Sequence, residues 1–284
     1  MSGAWGYLDG ALVPAAEAKV AAEDAGLLYG RGVFETFRAR RGRVFRLEQH
    51  YERLQAGAAE VGVAVALSMV ELEAAVRQLT ERCGIDDARV RLTLTAGPAG
   101  GADGPVRGAP AVVMQARPAT EYGEELYERG MRAKVASVRR NDTSPLSRVK
   151  SLNCLDNLLA REEAQREGFD EALLLNTRGS VAEASARSVF AVRGREVVTP
   201  PIEDGALPGV TRAAVLELAR GAGLAAREAS LTLDELLTAD EAFLTSAIVG
   251  VMPLVCVDAM MIGSGVPGEV TRRLRALYEA AAAG

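Results

Sequence analysis

Apolar residues in this 284-residue chain switch repeatedly between alternation and helical spacing, and the order of those switches most limits what it can fold into. Residues 3–20 read as a short strand and turn, and 24–32 as a glycine-punctuated segment. Residues 33–40 and 43–46 then alternate as a hairpin. Residues 47–61 set Leu47, Tyr51, Leu54, Ala58 and Val61 on one helical face. Ser68 opens a second helix, with Glu71 three residues later completing a capping box. Strands follow at 88–96 and 111–117, separated by a glycine-rich loop at 97–104. Beyond a polar stretch at 118–125 come a strand at 133–138, the irregular Asn141-Asp142-Thr143-Ser144-Pro145 loop and a helix at 152–167. Short strands at 171–175, 188–192 and 196–199 lead to a helix opened by Pro208-Gly209-Val210-Thr211 and running to 222. Strands at 241–246 and 251–257 and a helix at 267–283 complete the pattern. Strands and helices do not alternate strictly, so an α+β fold is expected rather than a doubly wound sheet. The length exceeds one typical domain. The expected division is an N-terminal α+β domain at 1–117, a linker at 118–125 and a C-terminal domain at 126–284.

Several function classes fall away on composition. A net charge of -5 argues against general nucleic-acid binding. No long apolar run suggests a signal peptide or membrane span, and Cys83, Cys154 and Cys256 are scattered without paired spacing. A cytoplasmic location without disulfides or a metal centre is the expectation. His50 is the only histidine, so two-histidine metal sites cannot be built within one chain. No segment matches a nucleotide hydrolase's phosphate loop. Chemistry therefore falls to lysine, carboxylates, arginines or a bound cofactor.

Of 33 basic residues only Lys19, Lys134 and Lys150 are lysines. Arginine stays protonated and cannot form an imine, whereas a lysine kept in so arginine-rich a chain can serve through its primary amine. Lys150 sits where an irregular stretch meets a helix; a solvated surface lysine is the plain alternative. The start of the helix at Leu207-Pro208-Gly209-Val210-Thr211-Arg212 offers free amides and a hydroxyl to a phosphate, or is an ordinary capped helix. Glu183, in Ser180-Val181-Ala182-Glu183, is either a partly buried carboxylate awaiting a cation or a surface glutamate ending a turn. Arg53 is a phosphate clamp or a surface ion pair. Together an amine, a phosphate cradle, a carboxylate and an arginine meet the needs of pyridoxal 5'-phosphate.

The ordered motifs Tyr29-Gly30-Arg31-Gly32-Val33-Phe34-Glu35-Thr36, His50-Tyr51-Glu52-Arg53-Leu54, Lys150-Ser151-Leu152-Asn153, Gly179-Ser180-Val181-Ala182-Glu183, Leu207-Pro208-Gly209-Val210-Thr211-Arg212 and the segment ending in Thr245-Ser246 resemble the class IV (fold-type IV) pyridoxal-phosphate enzymes. That group includes D-amino-acid and branched-chain aminotransferases and aminodeoxychorismate lyases. The resemblance implies that Lys150 forms the Schiff base and shuttles a proton. Glu183 would pair with the ring nitrogen, and Leu207 would pack on the ring. Arg53, Val210, Thr211, Ser246 and Ala247 would hold the phosphate. It also implies a C-terminal cofactor-binding domain, a homodimer in which loops complete the neighbouring site, and small amino and oxo acids as partners. Arg31, on such a loop, and Arg91, on the inward face of its strand, are the candidate grips for substrate carboxylates.

Departures bear on the subgroup. Leu155 stands near a tyrosine usual in branched-chain enzymes, and Ala247 replaces their threonine. Lys150-Ser151-Leu152-Asn153 matches the D-amino-acid enzymes, but Gly97-Pro98-Ala99-Gly100-Gly101 lacks their arginine and histidine, and Arg187-Ser188 replaces a small residue and asparagine. The lyases share Gly32-Val33-Phe34-Glu35-Thr36 and a Met252-Pro253 region. The expected activity is transamination of small amino acids, D-amino-acid type, with 2-oxoglutarate or pyruvate. The alternatives are aminodeoxychorismate lyase, a branched-chain L-amino-acid aminotransferase, or a cofactor-storing protein without turnover.

Overall fold

A computed structural model describes residues 4–99, 108–119 and 122–283. Most of the glycine-rich loop expected at 97–104 and two positions of the expected linker, 120 and 121, lie outside the described residues. The chain divides into two compact units, one comprising residues 1–121 with 149–153, the other 122–148 with 154–284. The fold is α+β in both.

The N-terminal unit contains β1 (Trp5–Leu8), β2 (Ala11–Pro14), α1 (Ala25–Tyr29), β3 (Gly32–Arg40), β4 (Arg43–Val44), α2 (Leu47–Glu60), α3 (Met69–Cys83), β5 (Asp87–Thr95) and β6 (Val112–Pro118). Its strands form one antiparallel sheet in the order β2-β1-β6-β5-β3-β4. Period-2 alternation sends Val33, Glu35, Phe37 and Ala39 to one face of β3, and Val90, Leu92 and Leu94 to the same face of β5. The core there also takes in Leu54 of α2 and Leu72, Val76 and Leu79 of α3. Each such fully buried large side chain contributes about 2 kcal/mol. The Ser68–Glu71 capping box forms as its spacing predicts. Arg91 does not share the inward face expected for it: in β5 it alternates with Val90 and Leu92 and so lies on the opposite face of the sheet.

The return of 149–153 to this unit has a backbone cause. Phe34 N–H donates to Lys150 O at 2.9 Å, Leu152 N–H donates to Gly32 O at 3.0 Å, and Val33 bridges Ser151. Gly32 permits this approach, since a Cβ there would lie 2.5 Å from Leu94 O and 2.7 Å from Leu152 Cδ1. A single crossing at 118–125 does not describe this second exchange between the units.

The C-terminal unit contains α4 (Glu124–Arg129), β7 (Met131–Val135), α5 (Leu155–Arg166), β8 (Glu171–Leu175), β9 (Ser180–Ala184), β10 (Ser188–Arg193), β11 (Glu196–Thr199), α6 (Val210–Gly221), β12 (Ala225–Glu228), β13 (Leu231–Thr232), α7 (Leu233–Leu237), β14 (Glu241–Ser246), β15 (Gly250–Val257), β16 (Met260–Met261) and α8 (Glu269–Ala283). Ten strands make one mixed sheet, ordered β12-β11-β10-β14-β15-β7-β8-β9-β13 with β16 on β15. Its middle strand, β15, is buried along its whole length, which explains its unbroken apolar run. Helix α5 packs on β7 and β8, and α6 and α8 pack on each other and on β14. Among the described residues no helix is long and apolar enough to cross a membrane.

Candidate active site

Each unit carries a polar centre of its own. In the N-terminal unit the backbone bonds to β3 fix Lys150 beside the strand, and its Nζ lies 4.5 Å from the centroid of the Phe34 ring. The Arg91 guanidinium sits 3.9 Å from the same centroid. Amine and guanidinium thus share one aromatic platform, an arrangement favourable for cations. Asn153 Nδ2 donates to Gly30 O at 2.9 Å, tying the segment's end to the turn before β3. Arg31 follows in that turn, where its Nε donates to Val61 O at 3.1 Å and its Nη2 to Gly62 O at 3.4 Å.

Arg53 sits with Glu35 and His50, on the sheet face covered by α2. Its Nε donates to Glu35 Oε1 at 2.8 Å and its Nη2 to Oε2 at 2.7 Å; His50 Nδ1 lies 2.9 Å from Oε2. Burial opposes ionisation of Glu35, but the Arg53 guanidinium and the hydrogen bonds from His50 and Arg53 overcome it and hold the carboxyl at about 2. Burial, with Arg53 and Lys150 nearby, pushes His50 below its ordinary value despite Glu35. A neutral imidazole then donates from Nδ1 to an ionised carboxylate. Glu35 and His50 received no role from the sequence. The signal was available: period 2 places one carboxylate among Val33, Phe37 and Ala39, and helical spacing puts His50 and Arg53 on one side of α2.

In the C-terminal unit Glu183 is buried within β9, so the reading of a surface glutamate ending a turn is overturned. Pairing with β8 carries residues 180–184 into the sheet. Its Oε2 accepts from Leu207 N–H at 3.0 Å, joining two expected site residues, and its Oε1 lies 3.2 Å from Arg140 Nε. Arg140 also donates to Asn157 Oδ1 at 3.0 Å and Ser147 O at 2.7 Å. The sequence offered no sign of this scaffold, because its bonds reach loop carbonyls far apart in the chain.

Helix α6 begins two residues after Pro208 with no side-chain cap on Gly209, leaving the first-turn amides of Val210 and Thr211 without a capping side chain. Thr211 is buried, its hydroxyl 3.4 Å from Tyr278 Oη. A Cβ on Gly209 would lie 2.9 Å from Ser188 Oγ, so glycine keeps this approach open. Ser188 stands opposite Thr245, whose buried hydroxyl has no partner. Ser246 ends β14 and Ala247 opens the turn into β15. Within the C-terminal unit, a carboxylate backed by a guanidinium, an uncapped helix start and an orphaned hydroxyl are groups of the kind that fit a phosphorylated, ring-bearing cofactor. Arg187 belongs elsewhere. It forms a buried ion pair with Glu171 and donates to Tyr122 Oη at 2.7 Å.

The model of the family Amino-transferase class IV matches residues 32–256. A putative branched-chain-amino-acid aminotransferase of Methanocaldococcus jannaschii is 37% identical over 275 residues, covering 96% of this chain and 94% of its own. A D-alanine aminotransferase of Bacillus licheniformis is 33% identical over 269 residues, covering 94% and 93%. Among solved structures, the branched-chain amino acid aminotransferase of Thermobaculum terrenum in its PLP-form superposes with a TM-score of 0.88 at 28% identity, covering 100% of this chain and 95% of that one.

Proposed function

The chain belongs to the class IV aminotransferases, enzymes that use pyridoxal 5'-phosphate, and from that premise we propose that it moves an amino group between an amino acid and 2-oxoglutarate or pyruvate. The observation that carries this reading is the Phe34 ring, which both the Lys150 amine and the Arg91 guanidinium, a receptor for a substrate carboxylate, approach. When bound, the cofactor supplies an electron sink for the pair left on the substrate Cα as its proton departs. Lys150 Nζ would hold the cofactor until the substrate amine displaces it, and the freed amine would then carry the substrate Cα proton across to the cofactor. Glu183, with Arg140 behind it, would pair with the ring nitrogen, and Leu207 would pack against the ring. Arg53, its guanidinium plane fixed by Glu35, would hold the phosphate, as would the amides of Val210 and Thr211, the Thr211 hydroxyl, Ser246 and Ala247.

D-amino-acid donors are part of this reading, supported by Lys150-Ser151-Leu152-Asn153 and by the D-alanine aminotransferase likeness. Branched-chain L-amino acids are the second reading, supported by the Methanocaldococcus jannaschii relative. The reading also includes a cytoplasmic homodimer. Leu27 and Leu28 of α1 and Leu155 and Leu158 of α5 are more than half exposed, apolar surface that a second copy would cover. Arg31 would join a carboxylate grip from its place beside the Val61 and Gly62 carbonyls.

The test is a half-reaction screen of the loaded enzyme by absorbance, with D- and L-alanine, D- and L-glutamate and L-leucine, and aminodeoxychorismate alongside. Conversion of the cofactor band by amino donors is expected, with Arg91→Ala raising donor KM. No conversion with any donor overturns the reading, and pyruvate release from aminodeoxychorismate in its place assigns the lyase reaction.

A further inference from the structure

The C-terminal unit buries a further polar cluster between α5, β8 and the turn before β10. Glu171, at the start of β8, is fully buried and forms an ion pair with the equally sheltered Arg187. The same carboxylate accepts from Ser185 Oγ and, at 2.9 Å, from the Ala172 amide. Arg187 Nη2 donates to Tyr122 Oη at 2.7 Å, and Arg161 Nη2 of α5 approaches that hydroxyl at 3.5 Å. Arg161 has no ion pair among the described residues, so two guanidiniums face one carboxylate. The buried Nε atoms of both arginines have no hydrogen-bond partner among the described residues.

Two like charges drawn to one hydroxyl repel, and away from water that repulsion is weakly screened. An N–H donor buried without a partner loses its hydration with nothing in exchange. Burial lowers the Arg187 guanidinium below its ordinary value, Tyr122 opposes that shift, and the Arg161 charge adds to it. Each side-chain oxygen of Glu171 and Tyr122 already accepts at least one hydrogen bond, so the cluster is short of an acceptor and of one negative charge. An anion supplies both. The excess is a single positive charge, which one monovalent ion balances. Water does not reach the Nε groups, so an ion that joins them is small, of halide rather than phosphate size. Arg161 and Tyr122 are half-buried, and the ion enters from the α5 side as Arg161 releases its long bond to the hydroxyl.

We propose that Arg161 and Arg187 hold a monovalent inorganic anion of halide size beside the Tyr122 hydroxyl. The ion neutralises the excess charge between α5 and β8 and stabilises the C-terminal unit. It takes no part in amino transfer.

Thermal unfolding of the loaded enzyme reads the site when sodium chloride replaces sodium gluconate at constant ionic strength. The midpoint is expected to rise by about 3 °C for each tenfold increase in chloride above its dissociation constant. Arg161→Gln should abolish the rise; it breaks no ion pair and removes a like charge, so the variant is expected to fold. Arg166→Gln removes the same charge from the exposed end of α5 and should keep the rise. Crystals of the unaltered chain grown with bromide should show an anomalous peak between Arg161 and Arg187. A midpoint indifferent to chloride, a rise that persists in Arg161→Gln, or bromide at the surface alone, an adventitious ion only, overturns the site. None of these readouts involves amino transfer, so an enzyme that transaminates nothing would leave the ion site standing.

Discussion

In the N-terminal unit the polar centre is made of side chains bonded to side chains; in the C-terminal unit it mixes such bonds, Arg140 with Glu183 and Asn157, with bonds from side chains to backbone. Glu35 takes all its described hydrogen bonds from Arg53 and His50. Glu183 instead accepts from the Leu207 amide, and Arg140 beside it donates to the carbonyls of Gly205 and Ser147. The first construction is all-or-none, because losing one member strands a charge away from water. The second spreads its dependence over several bonds, so losing one removes a modest fraction.

Lys150 lies outside both constructions, and its removal should separate chemistry from folding most widely. Lys150→Ala is expected to lower transamination by about 10⁴-fold, at the upper end of what a positioned proton carrier contributes. Urea unfolding should stay within about 1 kcal/mol of the parent, the size of the lost contact between the amine and the Phe34 ring. Comparable turnover by the variant in a rapid-mixing assay would remove the lysine from the reaction.

Glu35→Gln is expected to cost about 3–5 kcal/mol in chemical denaturation, since the Arg53 charge stays behind. The same pair gives the fold an acid limit. Glu35 titrates at about 2 when folded against 4.5 normally, and His50 is held below its ordinary 6.5. Both bind more protons when unfolded, so stability rises with pH. It should begin to fall below pH 6.5 through His50 and fall further from about 4.5 down to 2 through Glu35, by about 3 kcal/mol for the carboxylate. Unfolding midpoints measured across that range should lose the lower step in Glu35→Gln; a step of unchanged size assigns the acid limit elsewhere.

Arg140→Lys tests the gentler construction. A lysine cannot serve Ser147, Asn157, Gly205 and Glu183 together. The expected cost is about 1–3 kcal/mol, with cofactor still bound. A loss as large as that from Glu35→Gln would erase the distinction between the two units.

The same distinction explains what could be read from sequence. Strand periodicity, the Ser68 capping box and the lysine scarcity are local signals, and they located β3, α3 and Lys150. Glu35 was legible too, as a carboxylate in an apolar register, although no role was read from it. Arg140 was not legible. Besides Glu183 and the Asn157 side chain, its partners are the carbonyls of Ser147 and Gly205, and backbone groups leave no trace in residue identity. The burial of Glu183 was equally hidden, since Ser180-Val181-Ala182-Glu183 becomes a strand only through pairing with β8.

Gly209→Ala probes the backbone-built half at its most delicate place, and its effect should be the smallest. The backbone there, at φ -72 and ψ 126, is open to alanine, so no conformational strain enters. What enters is a methyl 2.9 Å from Ser188 Oγ and 3.0 Å from Arg212 Cβ. Arg212 cannot retreat freely, because its Nη2 donates to Pro200 O at 2.7 Å and pairs with Glu228 at 2.8 Å. Ser188 or the start of α6 must therefore give way, at a cost of about 1 kcal/mol. If the helix start moves, the amides of Val210 and Thr211 move with it, and cofactor retention should weaken about fivefold. Dialysis against phosphate buffer, followed by absorbance of the retained cofactor, measures this directly. Retention equal to the parent's, with stability lowered by the same 1 kcal/mol, would show that Ser188 alone yields and that the amides keep their places.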